Sequence, residues 1–81
     1  MIFLSNKHGS KYIQIGLNIA YYRKLKGLTQ EALCEIVDIS RTHLSNIEAP
    51  NIEKNVSLAV LFDIADALDV SLSELLELRS K

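Results

Sequence analysis

One cysteine, one proline, three glycines and no tryptophan are found in this 81-residue chain. A lone Cys34 cannot close a disulfide within the chain, and this fits a reducing cytoplasm. No glycine-rich loop is present to cradle a phosphate. The two histidines, His8 and His43, have no partners at metal-ligand spacing. Paired catalytic acids are absent, and Cys34 with His43 lacks a third residue to orient the histidine as a base. Neither catalysis nor a metal, cofactor or small-molecule substrate is expected. Long apolar runs are missing as well. No stretch reaches the roughly 18 residues of a membrane span. The opening Met-Ile-Phe-Leu-Ser-Asn-Lys turns polar too soon to be expected to act as a secretory signal. No membrane partner is expected. Linkers, low-complexity stretches and internal repeats do not occur.

What is present is a chain with 48% hydrophobic and 23% charged residues, the balance of a globular domain. Its charge is uneven. Residues 1–22 carry two lysines and no acid, residues 23–54 five basic and five acidic side chains, and residues 55–81 two basic and five acidic. The net charge of −1 therefore arises at the C-terminal end. Nucleic-acid binding is compatible with this, but with modest electrostatic help. An N-terminal arm is expected over residues 1–10, and a single domain over 11–81.

Hydrophobic periodicity predicts five helices and an all-α fold. The first covers Tyr12–Lys26, with Ile15, Ile19 and Tyr22 as its core stripe, and ends at Lys26-Gly27. Thr29 is placed to cap a second helix, Gln30–Val37, with Glu31 near its positive dipole end. Ser40 caps a third, Arg41–Glu48, whose Leu44 and Ile47 point inward and which Pro50 stops. After a polar loop, Ser57 caps Leu58–Leu68, with Leu58, Leu61, Ala65 and Leu68 inward. Ser71-Leu72-Ser73-Glu74 is a capping box opening a fifth helix, Leu72–Leu78. No segment shows the alternation of a half-buried strand, although residues 2–4 leave room for a short extended piece.

The second and third helices, joined by a tight turn, read as a helix-turn-helix. Asp38 stands where the turn needs a residue tolerant of positive φ, and Cys34 supplies a small residue for the crossing. With Leu44 and Ile47 turned inward, Arg41, Thr42, Ser45 and Asn46 point outward together, and His43 lies beside them. These residue types suit base edges. Arginine offers two donors to guanine O6 and N7, asparagine matches adenine N6 and N7, and a threonine methyl meets thymine. The plain alternative is an ordinary solvated surface helix.

Residues 13–78 resemble the phage-repressor (Cro/Xre-type) helix-turn-helix DNA-binding family. The likeness rests on Arg23-Lys24-Leu25-Lys26-Gly27-Leu28-Thr29-Gln30-Glu31, on Ile47-Glu48, and on Ser57-Leu58 with Ile64-Ala65-Asp66-Ala67-Leu68-Asp69-Val70-Ser71. The short length is also similar to controller proteins of restriction–modification systems. The resemblance implies a compact five-helix repressor-like domain that binds double-stranded DNA. It implies that Gln30 bonds a phosphate and braces the reading helix, and that Arg41, Thr42 and Asn46 face base edges. Ser40 and Ser45 would serve phosphates or share in readout. By position alone, His43 beside the reading face and Lys54 in the loop after the third helix are further candidate phosphate contacts, and simple exposure is the alternative for His43. Arg23 and Glu48 would form a structural ion pair. Three positions depart from the family pattern: Cys34 replaces a usual alanine, and Asp38 and Asp69 each replace a usual glycine.

Leu17, Tyr21 and Leu25 form a second apolar stripe on the first helix. Together with Leu72, Leu75, Leu76 and Leu78 they give more apolar surface than a small monomer needs, unless some of them close the single core. By the resemblance, the four C-terminal leucines would form a homodimer interface, and a two-fold dimer reads an inverted repeat. The expected function is a sequence-specific transcription regulator, either a repressor or an autoregulating controller. The alternative is a protein-interaction module, such as an antitoxin or a bridging factor.

Overall fold

The computed structural model describes residues 8–52 and 54–78. Five helices follow in order: α1 Gly9–Leu25, α2 Gln30–Val37, α3 Arg41–Glu48, α4 Leu58–Leu68 and α5 Leu72–Leu75. Among the described residues there is no strand, and no helix is long and apolar enough to cross a membrane. Residues 2–4, and the arm as far as residue 7, lie outside the described residues.

Local chemistry sets most helix boundaries. Thr29, Ser40, Ser57 and Ser71 each accept a bond from the backbone N–H three residues on, at 3.0 to 3.2 Å. Each thereby satisfies an orphan donor of the first turn. Glu74 returns the favour by accepting from Ser71 N at 2.8 Å, completing the capping box.

Three helix ends share one device. Gly27, Asp38 and Asp69 adopt left-handed backbone with φ of 80°, 58° and 57°. The next N–H, of Leu28, Ile39 and Val70, then reaches back to the carbonyl of Arg23, Cys34 and Ala65. This is the Schellman pattern, and in each case the apolar residue after the turn packs against the core.

The core is built from Ile19 of α1, Leu33 of α2, Leu44 and Ile47 of α3, Ile64 of α4 and Leu75 of α5, all essentially inaccessible. Ile15 and Tyr22 are half-buried against it. α3 packs on α1 and α2, α4 packs on α2, and α5 closes the bundle against α1 and α4. α1 crosses α3 at Gly16, where a methyl group would collide with the carbonyl oxygen of Ile47. The glycine is needed for this close backbone approach.

Four expectations are corrected. α1 begins at Gly9 and not at Tyr12, with the His8 carbonyl accepting from Lys11 and Tyr12. Leu58 is 59% exposed: it opens the first turn of α4, and the core contacts at that end come from Val56 and Val60. α5 ends at Leu75, because buried Asn18 of α1 donates to the carbonyls of Leu75 at 2.9 Å and Glu77 at 2.8 Å, turning the chain out of the helix. Leu75, expected at a dimer surface, is fully buried, since α5 turns this residue onto α1 and α4. Leu72 and Leu76 are half-buried on the core, and Leu78 is exposed.

Candidate nucleic-acid interface

The turn Asp38-Ile39-Ser40 hands the chain from α2 to α3. Left-handed Asp38 reverses its direction, Ile39 anchors on the core, and Ser40 starts the new helix. Leu44, Ile47 and Glu48 then fix the inner face of α3. Arg41, Thr42 and Ser45 are left exposed on the outer side, and Asn46 and His43 are half-buried at its margins. Ser40 spends its hydroxyl oxygen on the His43 N–H at 3.0 Å but keeps a hydroxyl hydrogen to donate. Lys54 is half-buried in the loop before α4.

A chain of polar contacts runs from α1 to the first residue of α3. Arg23 grips Glu48 with two bonds, Nε to Oε2 at 2.8 Å and Nη2 to Oε1 at 3.0 Å, and its Nη1 donates to the Leu28 carbonyl at 2.6 Å. Both ions are buried, yet no buried side-chain polar atom among the described residues lacks a partner. Gln30 Nε2 donates to Glu48 Oε1 at 2.9 Å. Gln30 Oε1 in turn accepts from Arg41 Nε at 3.1 Å. The amide has one sensible orientation, since a flip would set its oxygen against the carboxylate and its NH2 against the guanidinium. Arg41 Nη1 also donates to Glu31 Oε2 at 3.3 Å.

Beside this chain an open hollow of about 450 Å³ lies between α1 and the end of α3. Lys24, Gln30 and Ser45 share it with Leu17, Ala20 and Pro50. Two residues assigned to phosphates in the sequence reading thus lie together with a lysine that the reading did not single out. The signal for Lys24 was available, because it stands three residues before Gly27 in the basic end of α1. Arg41, Glu31 and Gln30 form a cluster no spacing rule would have found, since it depends on how α3 crosses α2.

Cys34 is buried beneath this surface, with its thiol 3.5 Å from the Ser40 carbonyl. Burial pushes the thiol pKa above its ordinary value, although the Arg41 charge pulls the other way. A neutral, enclosed thiol is a packing group, not a nucleophile. Among the described residues, no three His, Cys, Asp or Glu side chains gather into a metal-binding group.

Comparison with known proteins agrees with this fold. The control protein C.SmaI of Serratia marcescens is 39% identical over 59 residues, covering 73% of this chain and 68% of that protein. The crystal structure of the restriction-modification controller protein C.AhdI from Aeromonas hydrophila superposes with a TM-score of 0.77 at 30% identity, over 85% of this chain and 97% of that one. SinR, the master regulator for biofilm formation, solved in complex with DNA, superposes at 0.71 with 38% identity, over 78% of this chain and 98% of that one. Against full-length SinR of Bacillus subtilis the matched region is 56% of that protein. The helix-turn-helix family profile matches residues 19–75, from the middle of α1 through α5. By these matches and by its fold, the chain belongs to the helix-turn-helix family of DNA-binding transcription regulators, of the Xre type.

Proposed function

We propose that this protein is a cytoplasmic, sequence-specific regulator that binds an inverted-repeat operator as a homodimer, with α3 as the reading helix. One observation carries the reading: Arg41, Thr42 and Ser45 stand exposed at the start of a short helix whose other face is locked into the core. No packing requirement explains them, and their donors and methyl group suit base edges in a major groove. Arg41 would take a guanine, and Thr42 and Asn46 the neighbouring bases. Lys24, Gln30, Ser45, Ser40 and His43 would hold phosphates on either side, with Lys54 as a more distant cation. Relatives described as a control protein, a restriction-modification controller and a regulator solved with DNA support the same role.

A lone reading helix gains little affinity, whereas two copies on half-sites about 34 Å apart gain both affinity and a palindromic preference. Exposed Leu78, with the half-buried Leu72 and Leu76, supplies the apolar surface for that pairing. Exposed Leu58 and Phe62 on α4 enlarge the supply. Operator occupancy would follow the concentration of the protein itself, giving a repressor or an autoregulating controller.

The test is selection of bound duplexes from a random DNA pool at physiological salt. Enrichment of an inverted repeat is the expected outcome. Failure of a folded sample to enrich any sequence would take base reading away from α3. It would favour a protein-interaction role, for which the exposed stripe Leu17, Tyr21 and Leu25 is the surface to examine.

A further inference from the structure

Glu31 sits in the first turn of α2 and reaches across to α3, where its carboxylate meets Arg41. Both side chains are more than half exposed, at 59% for Arg41 and 73% for Glu31. Such a pair adds little to stability. Its effect on the chemistry of Arg41 is larger. A guanidinium has five N–H donors. Nε and one N–H of Nη1 are engaged by Gln30 and Glu31, which leaves both of Nη2 and one of Nη1. Those three suffice for a two-pronged grip. The positive charge, by contrast, is already balanced.

Backbone and base respond differently to that state. A phosphate attracts arginine through net charge, and here it would meet a neutral pair with a carboxylate close by. A guanine edge carries no net charge but offers two acceptors at fixed spacing, and it would meet the remaining free donors already held in place.

We propose that Glu31 is a specificity-determining residue, which neutralises Arg41 toward the phosphate backbone while steadying its free donors for a base edge with paired acceptors. The proposal rests on Arg41 being a base-reading residue. Glu35 provides an internal control: it lies one turn along α2, is exposed, and forms no ion pair among the described residues.

The experiment measures Kd for the selected inverted-repeat duplex and for a scrambled duplex of equal length, over a salt series. Wild type is compared with Glu31→Gln, Glu35→Gln, Arg41→Ala and the double variant Glu31→Gln/Arg41→Ala. Circular dichroism checks that each is folded. Glu31→Gln should bind the scrambled duplex about threefold more tightly. Its slope of log K against log salt should steepen by roughly 0.9, the increment of one added phosphate contact. Binding to the selected duplex should tighten by less, so that discrimination falls. Glu35→Gln should leave discrimination as it is, and Glu31→Gln should not alter it once Arg41 is gone. Equal tightening on both duplexes, or the same result from Glu35→Gln, would reduce Glu31 to bulk charge and overturn the proposal. Two other failures are separable. Wild type that does not distinguish the duplexes removes DNA reading itself, and full discrimination by Arg41→Ala removes only the assignment of Arg41. Either takes this proposal with it.

Discussion

At the scale of single residues, the buried pair of Arg23 and Glu48 decides the most. Each ion is removed from water, and each is satisfied only by the other and by Leu28 and Gln30. Removal of one partner strands the other, which costs about 3–5 kcal/mol, whereas loss of both costs less than the sum. Urea denaturation of Glu48→Ala, Arg23→Ala and the double variant should show this non-additivity; strictly additive losses would mean that the pair is not coupled. Gly16 is the second decisive residue. Gly16→Ala should destabilise by about 1–3 kcal/mol, because α1 must move off the Ile47 carbonyl. Cys34 gives a pH dependence whose sign follows from its raised pKa. Folding favours the neutral thiol, so its contribution is complete below the ordinary thiol value of about 8.5 and is lost as pH climbs through the raised one. Relative to Cys34→Ala, the wild type should lose stability in urea titrations as pH rises past the ordinary thiol value.

At the scale of the element, boundaries were legible where their cause is local. Thr29, Ser40, Ser57 and Ser71 announce α2, α3, α4 and α5 within a few residues of the bonds they make. The left-handed turn at Asp38 was equally readable, since few other residue types tolerate it. What escaped the sequence depends on partners far along the chain. α5 is cut short by an asparagine 57 residues earlier, and Gly16 owes its identity to a carbonyl on α3. Leu58 fits the helical stripe, but the helix end it occupies overhangs the core. The candidate base-facing residues could be proposed from their position on α3, and the brace from Gln30 was implied by the family resemblance; the Glu31 contact to Arg41 could not be read, because it crosses between helices. Asn18→Ala should therefore act at the level of an element. Two carbonyl contacts are lost, the one to Leu75 buried and the one to Glu77 part-buried, at a cost of about 1–3 kcal/mol. Hydrogen exchange should quicken at the amides of α5 before those of α4. Uniform acceleration across both helices would show that Asn18 supports the whole bundle and not α5 in particular.

At the scale of the whole molecule, the acidic C-terminal third and the small net charge leave DNA affinity to geometry and, in the proposed dimer, to a second copy. Leu78→Lys places a charge on the exposed end of the apolar surface assigned to pairing. Sedimentation equilibrium should then shift toward monomer, and operator binding should weaken most at low protein concentration. An unchanged association constant, with dissociation caused instead by Phe62→Lys, would move the two-fold axis from α5 to α4.

Gly16 and Asn18 lie two residues apart on α1; one bears directly on α3, and the other holds the end of α5. Less than one turn of helical backbone therefore separates the support of the proposed reading helix from the support of the proposed pairing surface. A dimer assembled through such a joint has a fixed gauge. An extra base pair between half-sites adds about 3.4 Å of axial rise, which so short a joint would not absorb. The misfit would fall on the DNA as untwisting and bend, at a cost on the order of 1–6 kcal/mol. Spacing would then be read as stringently as sequence, by residues that touch no base.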